Sequence, residues 1–201
     1  MIVGFSGHRP DRLPIGEAAV SARLSQVVLA LQDAAPVNGR SSAHTAISAL
    51  AEGSDRLFAI AALEHGLLLA ALLPFKTADY ETTFGDPATT PLFRTLLTRA
   101  QSIVELPGSL ADDTAAYESM GREIVDRSTV MLAVWDGKPS AGRGGTPEII
   151  EYAIARKCPL IWIDAGKDRE PMQLRSMAPS LKTSPLLKTD YLRLISDRGG
   201  S

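Results

Sequence analysis

The stretch Thr129-Val130-Met131-Leu132-Ala133-Val134-Trp135, followed after an insert by Gly142-Arg143-Gly144-Gly145-Thr146-Pro147-Glu148, decides how this chain folds. Seven β-prone, mostly apolar residues suit a strand covered on both faces. The glycines allow a tight connection. Thr146 as N-cap and Pro147 at the first helical position then predict a helix that runs to about Arg156. A buried strand, a glycine loop and a helix in that order make the repeating unit of an α/β sheet with parallel strands.

The same alternation extends in both directions. Residues 2–6 read as a short buried strand. Pro14 opens a helix whose Val20, Leu24, Val27, Val28 and Leu31 share one face. Residues 45–50 read as a second strand, and Ser54 as the N-cap of a helix that carries Asp55 in its first turn and stops at Gly66. Residues 67–74 are continuously apolar and predict a third strand. Residues 77–91, with Gly85, Pro87, Pro91 and several threonines, read mostly as loop. A helix over 92–100, a strand over 102–106, a helix over 114–127 and a last strand over 159–164 complete the series. The expected fold is α/β and doubly wound, with a mainly parallel sheet of about six strands and helices on both faces. The usual strand order, 3-2-1-4-5-6, sets the switch point between the strands at 2–6 and 102–106, and ligands bind beyond the carboxyl ends of strands at such a point. Residues 1–165 form this domain. Residues 166–201 are expected to be an irregular or weakly structured tail.

Composition narrows the function. With 201 residues the chain needs no disulfide or metal staple. Apolar residues make up 45% and charged residues 22%, which argues against disorder. Lysine plus arginine number 21 against 23 acidic residues, so bulk charge does not point to nucleic acid, which is an unexpected partner. The lone cysteine, Cys158, excludes an internal disulfide framework and fits a reducing compartment. The first residues are too soon interrupted for a signal peptide, and the longest apolar run, residues 66–75, is too short to span a bilayer. A soluble cytoplasmic domain without membrane contact is the expectation.

Three loops follow strand ends and carry the residue types that bind anions. The first is Gly7-His8-Arg9, where glycine permits close backbone approach and Arg9 offers a forked donor. Its spacing from Gly4 does not match the dinucleotide fingerprint. The second is Gly53-Ser54-Asp55, which reads equally as a plain helix cap. The third runs from Asp136 through Gly144, Gly145 and Thr146 to Glu148. There, paired glycines meet a helix N-terminus, whose free N–H groups and dipole favour an anion. Glu148, one turn in, suits a ribose hydroxyl or a base role. No serine sits in a hydrolase elbow, and the acidic residues lack metal-ligand spacing, so no metal and no cofactor are expected. Cys158 reads as a small buried residue, and Arg122 and Arg127 as a solvated helix face.

In this order, Gly7-His8-Arg9, Ala51-Glu52-Gly53-Ser54-Asp55 and Gly144-Gly145-Thr146-Pro147-Glu148 resemble the SLOG superfamily. That superfamily joins the LOG cytokinin-activating phosphoribohydrolases, the Rossmann domain of DNA-processing protein A and sensory relatives. The resemblance covers about residues 1–164. It implies a Rossmann-like sheet that binds a nucleotide or nucleotide-derived ligand, often as a homodimer. To the dimer the sequence adds an apolar helix set over 92–100. The LOG pattern is interrupted here: an insert separates the strand from the glycines, Glu148 lies two rather than three positions past Thr146, and Met120-Gly121 stand where LOG enzymes have an arginine–lysine pair, with Arg122 one step on. Two readings follow. In the first, the chain is a sensor or ligand-binding domain holding a nucleotide-derived molecule on the three loops. In the second, it is a phosphoribohydrolase that cleaves the N-glycosidic bond of a nucleoside monophosphate, with Glu148 and Arg122 catalytic.

Overall fold

A computed structural model of the chain describes residues 1–35, 44–139, 144–177 and 181–196. In chain order the elements are β1 (Ile2–Gly7), α1 (Glu17–Ala34), β2 (Thr45–Ser48), α2 (Ser54–Glu64), β3 (Leu68–Leu73), α3 (Thr77–Glu81), α4 (Thr90–Arg99), β4 (Ser102–Glu105), α5 (Asp113–Arg127), β5 (Val130–Trp135), α6 (Thr146–Ala155), β6 (Leu160–Asp164), β7 (Met172–Ser176), β8 (Lys182–Pro185) and α7 (Lys188–Ser196). They build one sheet in the order β4-β3-β2-β1-β5-β6-β7-β8. Strands β1 to β6 pair in parallel, and β7 and β8 join antiparallel at one edge. The fold is α/β with a mostly parallel sheet between helices, and the sheet has eight strands rather than six.

Side-chain alternation explains why both faces are covered. Val3, Phe5, Val130, Leu132 and Val134 join the face packed by Val20, Leu24, Val27, Val28 and Leu31 of α1. Met131, Ala133 and Trp135 point the other way, to Ile124 and Val125 of α5 and Ile149, Ile150 and Ala153 of α6. A third cluster gathers Leu69, Ala71 and Leu73 of β3 with Tyr80, Phe93 and Leu96. All six residues of β5 are buried.

The structure corrects the expected strand order. The neighbour of β1 across the switch point is β5, with Val3 opposite Val130 and Gly7 opposite Val134, whereas β4 lies at the far edge beside β3. The reason is amphipathicity: Ser102, Ile103 and Glu105 are exposed and only Val104 is partly covered, so β4 tolerates an edge, while β5 needs cover on both faces. The segment from 166 onward is not an irregular tail, because β7 and β8 extend the sheet and α7 packs Tyr191 and Leu194 into the cluster around α1. Within that segment, 178–180 and 197–201 lie outside the described residues.

Local signals shift by a few residues. Helix α1 starts at Glu17 after Gly16 (φ 83°), not at Pro14, and Pro10–Arg12 forms a separate 3-10 turn. Its C-cap, Ala35, precedes a proline and is extended, as that position favours. Gly53 and Gly145, not Ser54 and Thr146, occupy the N-cap positions of α2 and α6. Residues 77–91 include α3 and a 3-10 turn at Pro87–Thr89. The apolar residues Phe93, Leu96 and Leu97 of α4 pack into the chain's own core, and Leu92 is exposed. Among the described residues no helix is long and apolar enough to cross a membrane.

Candidate functional site

At the carboxyl ends of β1 and β5 the sheet order reverses, and a crevice of about 290 Å3 opens there. Its walls come from the β1 loop (Gly7, His8, Arg9), the β2 loop (Ala49, Ala51, Asp55) and the start of α6 (Gly144, Gly145, Thr146). Met120, Gly121 and Ile124 of α5, with Ile149 of α6, supply an apolar side. Seven residues singled out in the sequence therefore meet: Gly7, His8, Arg9, Asp55, Gly144, Gly145 and Thr146. Gly142 and Arg143 of the glycine loop lie outside the described residues.

Glycine is required where backbones press together. A Cβ on Gly7 would lie 2.2 Å from Ser54 Oγ and 2.8 Å from the Phe5 ring. Gly53 has φ 88°, and a Cβ there would lie 2.9 Å from His8 O and from Pro10. Both the N–H and the hydroxyl of Ser54 donate to His8 O, at 3.2 and 2.7 Å. Gly53 and Ser54 thus dock the second loop onto the first, and the Ser54 hydroxyl, expected at a ligand, is engaged inside the fold. In the third loop the left-handed residue is Gly144 (φ 80°), while Gly145 is extended at φ −89° and ψ 168°. Leu50, a non-glycine residue at φ 57°, turns the chain from β2 into the second loop, and its carbonyl accepts from Arg56 Nε at 3.0 Å.

Asp136 does not line the crevice. Its carboxylate accepts from Arg12 Nη2 at 2.9 and 2.8 Å and from the Lys138 N–H, with His8 Nε2 at 3.0 Å. Burial pushes its pKa up, but Arg12, then His8, outweigh that and hold it down at about 2. The carboxylate is therefore ionised, so His8 Nε2 carries the proton it shares with it. Burial lowers the His8 pKa, with Asp136 opposing, so the imidazole tends to stay neutral. The trio ties the first loop to the end of β5, with His8 and Arg12 also lining the crevice.

The sharpest electrostatic feature is Asp55. It is buried and lines the crevice. Burial raises its carboxyl to about 7, against the Ala49 N–H and the charges of Arg9 and Arg56, which lower it. Arg9 lines the same crevice with its side chain 46% exposed, and Nη1 stands 3.7 Å from Glu52 Oε2. Glu52 itself grips the 85–89 segment through the N–H groups of Gly85 and Asp86 and the Thr89 hydroxyl.

Arg122 and Glu148 are elsewhere. Both line a neighbouring hollow with Glu118, Glu151 and Tyr152. Arg122 pairs with Glu118 and lies 5.1 Å over the Tyr152 ring, and Glu148 accepts from the Gly144 N–H. Crevice residues missed in the sequence include Asp11, Arg12, Tyr80 and Tyr117. Phe75, Tyr80 and Phe84 fall within ten residues in a chain with only five phenylalanines and four tyrosines, a cluster that a bare loop would not need. Among the described residues no group of three or more histidine, cysteine or acidic side chains is arranged to hold a metal ion.

Comparison with solved structures finds similarity to the structural-genomics target TM1055, at 14% identity and a TM-score of 0.49, over 79% of this chain and 71% of that one. It also finds DNA processing protein A (DprA) from Streptococcus pneumoniae, at 14% identity and a TM-score of 0.42, over 83% of this chain. The chain spans 59% of the length of that protein. No protein-family model and no curated protein matches the sequence.

Proposed function

We propose that the crevice binds a small anionic molecule of the nucleotide class and that the chain acts as a ligand-binding or sensor domain. The observation that carries the reading is convergence. Loops far apart in sequence, at Gly7–Arg9, Ala49–Asp55 and Gly144–Thr146, surround one crevice where the sheet order reverses. The α6 N-terminus turns a positive dipole end toward an anion, and Arg9 adds a guanidinium held only loosely by Glu52. Asp55 lies buried near that guanidinium. The apolar side of Met120, Ile124 and Ile149 suits a flat ring. The hydrolytic alternative has less support, because Arg122 and Glu148 line the neighbouring hollow and are engaged by Glu118 and the Gly144 N–H.

Titration calorimetry with a panel of nucleoside monophosphates tests the reading. A charge-assisted contact from Arg9 contributes about 1.5–3 kcal/mol, so Arg9→Ala is expected to weaken binding by roughly ten- to a hundred-fold. Because Arg9 is half exposed, the melting temperature of the ligand-free variant should stay near wild type. A tight ligand whose affinity ignores Arg9→Ala would put the site elsewhere. Release of free base from the same panel would restore the hydrolytic reading.

A further inference from the structure

Tyr80 is the crevice residue that anion binding leaves unexplained. It is 1% exposed and packs among Phe75, Phe84, Phe93 and Tyr117, with ring centroids 5.3 to 6.4 Å away. Its hydroxyl is buried without a hydrogen-bond partner among the described residues. Two other buried polar atoms share that condition, Arg56 Nη2 and Arg169 Nε, but each belongs to a guanidinium that is engaged through another nitrogen. Neither of those residues lines the crevice, whereas Tyr80 does, and the hydroxyl is its one polar side-chain atom. An unpartnered buried hydroxyl is costly, and phenylalanine would fill the aromatic cluster equally well.

The fold holds this side chain in place from several directions. Glu105, at the end of β4, accepts from the N–H and hydroxyl of Thr77 and so caps α3, the helix that carries Tyr80. Glu52 and Arg56 fasten the following segment at Gly85, Asp86 and Thr89. Burial, then the nearby Asp55 charge, raises the phenol well above its ordinary range, with Arg9 opposing, so it stays a proton donor. Of its electrostatic neighbours, Asp55, Tyr117 and Arg9 line the crevice and Arg56 does not.

We propose that Tyr80 is a specificity-determining residue of the crevice, and that with Asp55 it receives an uncharged, hydroxyl-bearing group of the ligand, a sugar ring, while the ligand's anion lies at Gly144–Thr146. This rests on the crevice being the binding site. A sugar hydroxyl both gives and takes a hydrogen bond. It donates to the Asp55 carboxylate and accepts from the Tyr80 hydroxyl, supplying the partner that the fold withholds. An apolar group would leave the Tyr80 hydroxyl unpaired.

The test is calorimetric titration of wild type and Tyr80→Phe with two probes, ribose 5-phosphate and inorganic phosphate. Wild type is expected to prefer ribose 5-phosphate. Tyr80→Phe is expected to weaken that probe about ten-fold and to leave phosphate unchanged, in line with the loss of one buried hydrogen bond. The ligand-free variant should melt no lower than wild type, because only an unpartnered group has been removed. Equal affinity of variant and wild type for ribose 5-phosphate overturns the proposal. So does a lower melting temperature of the variant, which would give the hydroxyl a partner inside the fold. Phosphate binding with no preference for the sugar overturns the role of Tyr80 and leaves the crevice reading standing. Binding of neither probe overturns both.

Discussion

Replacing Asp55 by asparagine should make the protein more stable, and increasingly so as pH rises. In the folded chain this carboxyl is 5% exposed and lifted by burial to about 7, against an ordinary value of 3.8. Between those two values the folded state binds the proton more tightly than the unfolded chain. Its stabilising contribution is therefore fully present below about pH 4 and is lost as pH rises through about 7. At ~1.36 kcal/mol per tenfold change in proton affinity the whole loss is about 4 kcal/mol, of which roughly 2–3 kcal/mol falls between pH 5 and pH 8. Asparagine keeps a carbonyl oxygen to accept the Ala49 N–H but never ionises. Urea unfolding of wild type and Asp55→Asn at both pH values gives the answer as a difference, in which every other titrating group cancels. The advantage of Asp55→Asn should grow by about 2–3 kcal/mol from pH 5 to pH 8. A pH-independent difference would mean that Asp55 reaches water.

Other consequences are as direct. Asp136 should titrate near 2 in carbon-detected NMR; a midpoint near 4 would break the link to Arg12 and His8. The stability this carboxylate supplies is present above about pH 4 and lost as pH falls toward 2, and the lowered pKa of His8 removes more as pH drops below 6.5. Gly7→Ala forces a methyl group to within 2.2 Å of Ser54 Oγ and should cost about 1–3 kcal/mol in chemical denaturation; an unchanged midpoint would show that the first two loops are not pressed together. Gly144→Ala, at φ 80°, should cost about 1–2 kcal/mol, whereas Gly145→Ala incurs no backbone strain, and equal losses would refute the loop geometry.

What the sequence disclosed depended on the range of the interaction. The glycine loop, the start of α6 and the buried strand β5 are written within about twenty consecutive residues, and local pattern suffices to read them. The position of β4 is a long-range fact, although the polar ends of Ser102-Ile103-Val104-Glu105 already marked an edge beside the wholly apolar 130–135. Strand β7, Met172-Gln173-Leu174-Arg175-Ser176, carries one fully buried residue and so leaves almost no apolar signal. At the crevice, Asp55 and Arg9 stood at strand ends where anion-binding residues are sought. Ser54 and Asp136 have suitable chemistry but are engaged by His8 and Arg12, more than forty and more than a hundred residues away. Tyr80 reaches the crevice from a segment whose prolines and threonines read as loop, and its packing against Phe93 and Tyr117 is invisible to any local window.

Mapping of backbone amide shifts during titration with adenosine monophosphate tests the central claim most directly, because it reports where a ligand sits without presupposing any residue's role. Saturable shifts should centre on the amides of Gly7, Arg9, Asp55 and Gly144–Thr146, with Tyr80 and Tyr117 perturbed beside them and β7, β8 and α7 silent. Shifts concentrated at Arg122, Glu148 and Tyr152, or saturable binding that leaves the Gly7 and Gly144 amides unmoved, would contradict it.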